Sequence, residues 1–179
     1  MFLAHVLDIT VKKLKSQAAN FITLSNLFLG AFAILFVTKG QLHLSLTLIF
    51  LAALMDRFDG MMARKLQTES EFGKQLDSMC DIISFGVAPA LLLYHGILYE
   101  FGAAGMFVSI FYISCGAIRL ARFNISEQQG YFTGVPITVV GCIGTLLFLF
   151  TAIIPSYVYL FITVILSLSM VSPIKVKKL

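Results

Sequence analysis

The sequence predicts an all-α, polytopic membrane protein built as a bundle of six transmembrane helices, and three observations carry that prediction. Of 179 residues, 59% are hydrophobic and only 12% charged, against about 25% charged in a soluble domain. With a mean hydropathy of +0.93, charge is too sparse to coat a water-facing surface, which excludes a soluble enzyme and a disordered chain. Second, six apolar stretches approach the roughly 20 residues that a helix needs to cross a bilayer. Third, the basic residues fall almost entirely on one side of the path those six stretches trace. The net charge of +4 therefore does not point to nucleic acid, because loop lysines already have a use in setting membrane orientation.

Residues 1–20 contain Lys12, Lys13 and Lys15 and lack a long apolar run. They predict a juxtamembrane amphipathic lead-in rather than a cleaved signal peptide. The spans follow at about 21–38, 41–64, 76–98, 103–123, 133–153 and 156–172, separated by Lys39–Gly40, the polar run Lys65–Lys74, Glu100–Gly102, Asn124–Gly130 and Pro155. Residues 21–172 read as one domain and 173–179 as a basic tail. Of the 13 basic residues, only Lys39 falls on the side opposite the termini. That bias places both termini, and the 65–74 loop with them, in the cytoplasm, with the chain in the cell membrane. A count of five or seven spans would split the two basic tails and destroy the bias. Cys80, Cys115 and Cys142 are widely spaced in apolar surroundings and read as packing residues of a reduced protein. His5, His43 and His95 lack acidic or cysteine partners and read as non-ligands.

Four aspartates lie where an apolar chain should avoid them. Asp56 and Asp59 close the second stretch, and Asp77 and Asp81 open the third. Spacings of three and four put each pair on one helical face, and a short loop makes the two helices antiparallel neighbours, so the pairs can converge. Four ionised carboxylates cannot gather near a membrane without compensating positive charge. All-oxygen ligands without His or Cys suit a hard cation, Mg²⁺ or Mn²⁺, and two such ions would satisfy the charge and form a clamp for phosphate displacement. Two other readings stay open: interfacial acids neutralised by Arg57, Arg64, Lys65 and Lys74, and an ion or proton pathway, which would make the chain a small ion-coupled transporter. Against a pathway, the acids sit at one end of the helices, with only Glu100 at the other. Gly60 and Gly73 border the cluster, a place for close approach by a bulky ligand or for tight packing. Arg64 is placed to neutralise a phosphate beside the metals.

Read from Asp56, DRFDGMMARKLQTESEFGKQLDSMCD has the skeleton D-x-x-D-G-x-x-A-R, eight residues, then G-x-x-x-D-x-x-x-D. It resembles the signature of the CDP-alcohol phosphatidyltransferases, membrane enzymes that make phospholipid head groups, and matches it at all four Asp, at Gly60 and Gly73, and at Ala63 and Arg64. The six-helix layout agrees with that family's fold. Three further strings, Ile82–Ala90, Cys115–Asn124 and Tyr131–Thr138, are similar to the bacterial, CDP-diacylglycerol-dependent phosphatidylserine synthases.

The resemblance implies a two-metal transfer of a phosphatidyl group from CDP-diacylglycerol to the hydroxyl of L-serine, with release of CMP. Asp56, Asp59, Asp77 and Asp81 would be the metal ligands, and Asp81 also the general base. Gly60, Ala63, Arg64 and Gly73 would lie along the CDP-lipid, with Asn26 near its cytidine. It also implies a homodimer in contact with membrane lipid. Arg119 and Arg122, three apart on the fourth span, can hold serine's carboxylate or a phosphate oxygen, or act as membrane anchors; Arg57 has the same ambiguity. Ser84, Asn124 and Thr133 can hydrogen-bond a small zwitterion or satisfy helix ends. Thr23, Ser25 and Asn26 read most simply as caps at the start of the first span. Within the same chemistry, glycerol 3-phosphate, inositol phosphate or an amino alcohol remain alternative acceptors.

Overall fold

The computed structural model describes residues 2–66, 70–126, 131–173 and 175–177. Side chains of residues 2–16, 18–19, 59, 63–66, 126, 131–133 and 175–177 lie outside that description. Seven α-helices appear among the described residues: α1 (Phe2–Thr38), α2 (Leu42–Leu66), α3 (Glu71–Asp81), α4 (Ala88–Gly96), α5 (Ala103–Ser126), α6 (Ile137–Leu147) and α7 (Ser156–Val171). A π-helical turn, Ile82–Val87, joins α3 to α4 in one run, and short 3₁₀ turns follow α4 and α6. Two three-residue strands, β1 (Tyr131–Thr133) and β2 (Lys175–Lys177), pair antiparallel with Phe132 opposite Val176.

All six apolar stretches are helical. Among the described residues, three helices are long and apolar enough to cross a membrane: Asn20–Thr38, Glu71–Gly96 and Ala103–Ile125. The other three stretches have physical reasons to fall short. In α2, Asp56, Arg57 and Asp59 lie within a membrane-length window. The apolar helices Ile137–Phe150 and Ser156–Val171 are shorter than a full span. The expected fifth stretch loses its start because Thr133 is in β1 and Pro136 precedes the first helical residue.

α1 runs without a break through residue 20, so the lead-in and the first span are one helix. This corrects the reading of Thr23, Ser25 and Asn26 as N-terminal caps: the helix begins about six turns earlier, and its backbone donors there are already committed. Ser25 instead donates its hydroxyl to the Phe21 carbonyl at 2.9 Å. α1 ends at Gly40, whose φ of +74° is easy only for glycine. Gly40 N–H donates to Val37 and Gln41 N–H to Phe36 before α2 turns back. α3 starts at Ser70, whose hydroxyl accepts the Gly73 N–H at 3.0 Å, and Glu71 favours the positive end of the helix dipole.

Pro89 accounts for the wide turn. A proline inside a helix gives no N–H and crowds the carbonyl four residues earlier, here Phe85. That carbonyl is turned to the hydroxyl of Tyr112 on α5, which donates to it at 3.2 Å. The Ala88 N–H reaches back five residues to Ile83. Two apolar clusters stack along the bundle, one around Phe85, Tyr112 and Ile137, the other around Leu92, Leu93 and Phe148. The end where α2 finishes and α3 begins is left to the site.

Candidate active site

A cavity of about 1030 Å³ opens at that end, walled by α1, α2, α3, α5 and α6. Asp56 reaches it from α2, and Asp77 and Asp81 from successive turns of α3. One carboxylate oxygen from each lies within 4.8 Å of the others. Asp81 is buried at 7% exposure, and Asp56 and Asp77 are half-buried. Three acids this close repel strongly at low dielectric. Their hard oxygen donors, with no His or Cys in the group, form a set that suits a divalent cation. Thr138 at the start of α6 donates its hydroxyl to Asp56 Oδ2 at 3.4 Å, so a third helix steadies the α2 acid.

The structure separates the other expected site residues. Gly60 and Gly73 line the cavity. A Cβ at Gly60 would meet no atom of the described residues within 4 Å, whereas at Gly73 it would come 3.1 Å from Ser70 Oγ and 3.3 Å from Asn20 Oδ1. Arg119 lines the cavity, is 9% exposed and lies within electrostatic reach of Asp81. Arg122 does not line it: exposed on α5, its Nη1 donates to the Val171 carbonyl at 3.1 Å, at the end of α7. Three residues on a helix still differ by about 60° in direction, enough to send one arginine inward and the other across to a neighbour.

Ser84 also stands away from the cavity wall, fully buried, its hydroxyl donating to the Asn26 carbonyl at 3.2 Å. Asn26 is fully buried too, and its side-chain Nδ2 and Oδ1 have no hydrogen-bond partner among the described residues. The cavity residues on α1 are Asn20 and Thr23, one turn earlier. The side chains of Asp59, Ala63, Arg64 and Thr133 lie outside the described residues. Asn124 bonds within the protein: it accepts from Ser78 at 3.2 Å and donates to Gln75 at 3.3 Å, tying α5 to α3. His43 and His95 meet Phe148 and Tyr94 edge to face, and neither lines the cavity. The cysteines form no disulfide, and Cys142 is the one that reaches the cavity.

Lys74, Phe123 and Thr138 are cavity residues that sequence reasoning gave no ligand role. The four-residue spacing of Arg119 and Phe123 is a legible signal for a shared helix face. Thr138 has none, because its partner is 82 residues away. The upper wall is apolar, with Phe50, Leu54, Val139, Ile143 and Leu146 between α2 and α6. An acid floor under an apolar slot suits an amphiphile with a charged head.

Comparison with known proteins agrees with this geometry. The chain is 42% identical over 121 residues to the CDP-diacylglycerol–serine O-phosphatidyltransferase of Helicobacter pylori strain 26695, covering 66% of this chain and 51% of that protein. With the protein of the same name from Bacillus subtilis it shares 38% over 135 residues, 74% of this chain and 76% of the relative. With that of Methanocaldococcus jannaschii it shares 40% over 162 residues, 89% and 73%. The chain thus spans about half the length of the Helicobacter relative. Residues 16–172 match the sequence model for CDP-alcohol phosphatidyltransferase. That match runs from within α1 past the end of α7, takes in every helix that walls the cavity, and makes the chain a member of the CDP-alcohol phosphatidyltransferase family.

Proposed function

We propose that this protein transfers a phosphatidyl group from CDP-diacylglycerol to the hydroxyl of L-serine, yielding phosphatidylserine and CMP. The observation that carries the reading is the Asp56, Asp77 and Asp81 triangle on the floor of a cavity with an apolar upper wall. Relatives named for serine support the acceptor. The archaetidylserine synthase of Methanothermobacter thermautotrophicus, 39% identical over 133 residues, also carries serine in its name.

Asp56, Asp59, Asp77 and Asp81 would hold two divalent cations, Mg²⁺ or Mn²⁺. Bound there, they would neutralise the pyrophosphate and stabilise charge on the departing CMP. Asp81 takes the proton of the serine hydroxyl as that oxygen attacks the phosphatidyl phosphorus. The bond from that phosphorus to the oxygen of CMP breaks, and its electron pair leaves with CMP. Gly60 leaves space for the nucleotide, with Gly73, Ala63 and Arg64 along the CDP-lipid; Asn26, buried one turn behind Thr23, backs the wall on the cytidine side without lining the cavity. Arg119 faces the acceptor's carboxylate. The apolar slot between α2 and α6 shelters the acyl chains, which therefore stay in the bilayer.

In this reading residues 21–172 form a single catalytic domain of six spans, preceded by the juxtamembrane segment 1–20 and followed by a basic tail, 173–179. Both termini and the active site face the cytoplasm from the cell membrane, supported by the one-sided basic residues. The enzyme is a homodimer, as the family resemblance implies. A transport pathway gains no support, since beyond the acids the bundle interior holds two apolar clusters.

The test incubates purified protein with CDP-diacylglycerol, Mn²⁺ and a panel of alcohols. CMP and phosphatidylserine are expected with L-serine. Turnover confined to glycerol 3-phosphate or another alcohol would replace the acceptor, and solute uptake into liposomes without CMP release would replace the whole reading. Asp81→Asn should lower turnover by about 10²–10⁴-fold while CDP-lipid binding persists.

A further inference from the structure

Two cations from different helices meet on one aromatic ring inside the cavity. Lys74 Nζ, from the first turns of α3, lies 5.8 Å from the centroid of Phe123. Arg119 Cζ, one turn before Phe123 on α5, lies 5.7 Å from the same centroid. All three residues line the cavity that holds the acids. Arg119 is more than nine-tenths buried, and its Nε has no hydrogen-bond partner among the described residues.

Like charges brought together in a partly buried space repel, and the negative face of an aromatic ring offsets that repulsion for both. A guanidinium Nε–H buried without a hydrogen bond is costly unless an acceptor arrives to use it. Asp81 lies close enough to attract Arg119. Once divalent cations satisfy the acids, the Lys74 and Arg119 pair, deeper in the wall than the exposed Arg57, is a part of the cavity that calls for an anion. The anionic group of L-serine is its carboxylate, and a guanidinium edge is the side-chain geometry that matches it.

We propose that Phe123 is a positioning residue that gathers Lys74 and Arg119 into an anion site, and that this site selects the acceptor by its carboxylate. The proposal rests on the serine-transfer reading and deepens it. Lys74 and Arg119 touch the acceptor, while Phe123 acts through them. Ethanolamine, which carries serine's hydroxyl and amine without the carboxylate, gains nothing from the pair.

The test is steady-state CMP release by the full chain in detergent with Mn²⁺, varying L-serine and CDP-diacylglycerol separately. Phe123→Leu keeps an apolar side chain and removes the π face. It should raise the serine KM about tenfold, the scale expected from losing cation–π contacts, while kcat and the CDP-diacylglycerol KM stay within about twofold. Phe123→Tyr restores the face and should bring the serine KM back. Lys74→Gln, on a half-exposed side chain that puts folding at little risk, should raise the same KM, and the preference for serine over ethanolamine should narrow in both impaired variants. An unchanged serine KM in Phe123→Leu and Lys74→Gln overturns the inference. So does a rise confined to the CDP-diacylglycerol KM, which would assign the cations to the lipid's phosphates. If the wild-type chain releases no CMP with serine, the parent reading fails and takes this inference with it; CMP release with an insensitive KM defeats the inference alone.

Discussion

Asp56 shows how a side chain's role is divided between what its own helix supplies and what arrives from elsewhere. Its apolar approach, Leu42–Met55, and its spacing to Asp59 are local, and both are legible in the sequence. The hydroxyl that steadies it comes from Thr138, and no periodicity links residues that far apart. Outer contacts to metal-binding carboxylates affect metal affinity by about 10–100-fold. Thr138→Val, which keeps the shape and deletes the hydroxyl, should therefore weaken Mn²⁺ binding about tenfold in direct titration, while Thr138→Ser should hold it; equal affinity in all three proteins would dismiss the contact. The arginines teach the same distinction. Spacing put Arg119 and Arg122 on neighbouring directions of α5, but which one turned inward depended on α7 offering the Val171 carbonyl to the other. Asn26 and Ser84 were visible as polar residues in apolar runs, yet their burial against each other is a fact of packing between α1 and the π turn.

At the level of elements, helix positions were readable because apolar runs and breakers alternate clearly, and the ends of α2, α4, α5 and α7 fall within a few residues of the sequence boundaries. The lead-in was not separable from the first span, because a basic stretch without a breaker continues a helix as readily as it lies on a membrane. The π turn was signalled by Pro89, but only the Phe85 carbonyl released to Tyr112 shows how the chain accommodates it. Close packing at this turn explains one glycine. A Cβ at Gly141 of α6 would lie 2.8 Å from the Phe85 oxygen, and rigid backbone cannot yield as a side chain would. Gly141→Ala should cost about 1–3 kcal/mol, seen as a lower unfolding temperature in detergent. Gly60→Ala meets open space and removes a helix-weakening residue, so it should leave stability intact or improved while weakening CDP-lipid binding. Equal stability for the two variants would show that the α6 contact is looser than described.

Taken whole, the described residues gather most of their charges around the cavity, with Lys39 and Glu100 apart, and fill the rest with apolar contacts. That division was legible from composition and from four aspartates in a 26-residue window, which also carried the family. Convergence of Asp56 with Asp77 and Asp81 was legible from helical spacing, but the short loop did not make α2 and α3 packed neighbours: α3 lies against α1, and the acids meet across the cavity. The participation of α5 was signalled by Arg119 alone, and that of α6 was not signalled at all, because it depends on how five helices close around one space. The claim beneath the proposed chemistry is that the carboxylates hold divalent cations. Mn²⁺ binding followed by electron paramagnetic resonance tests it most directly, on the wild-type chain and on Asp77→Asn. The account predicts two ions per chain, coupled at the roughly 3.5–4 Å of a two-metal site, with the coupling lost in the variant. No bound pair in the wild-type protein, or a pair indifferent to Asp77, would contradict it.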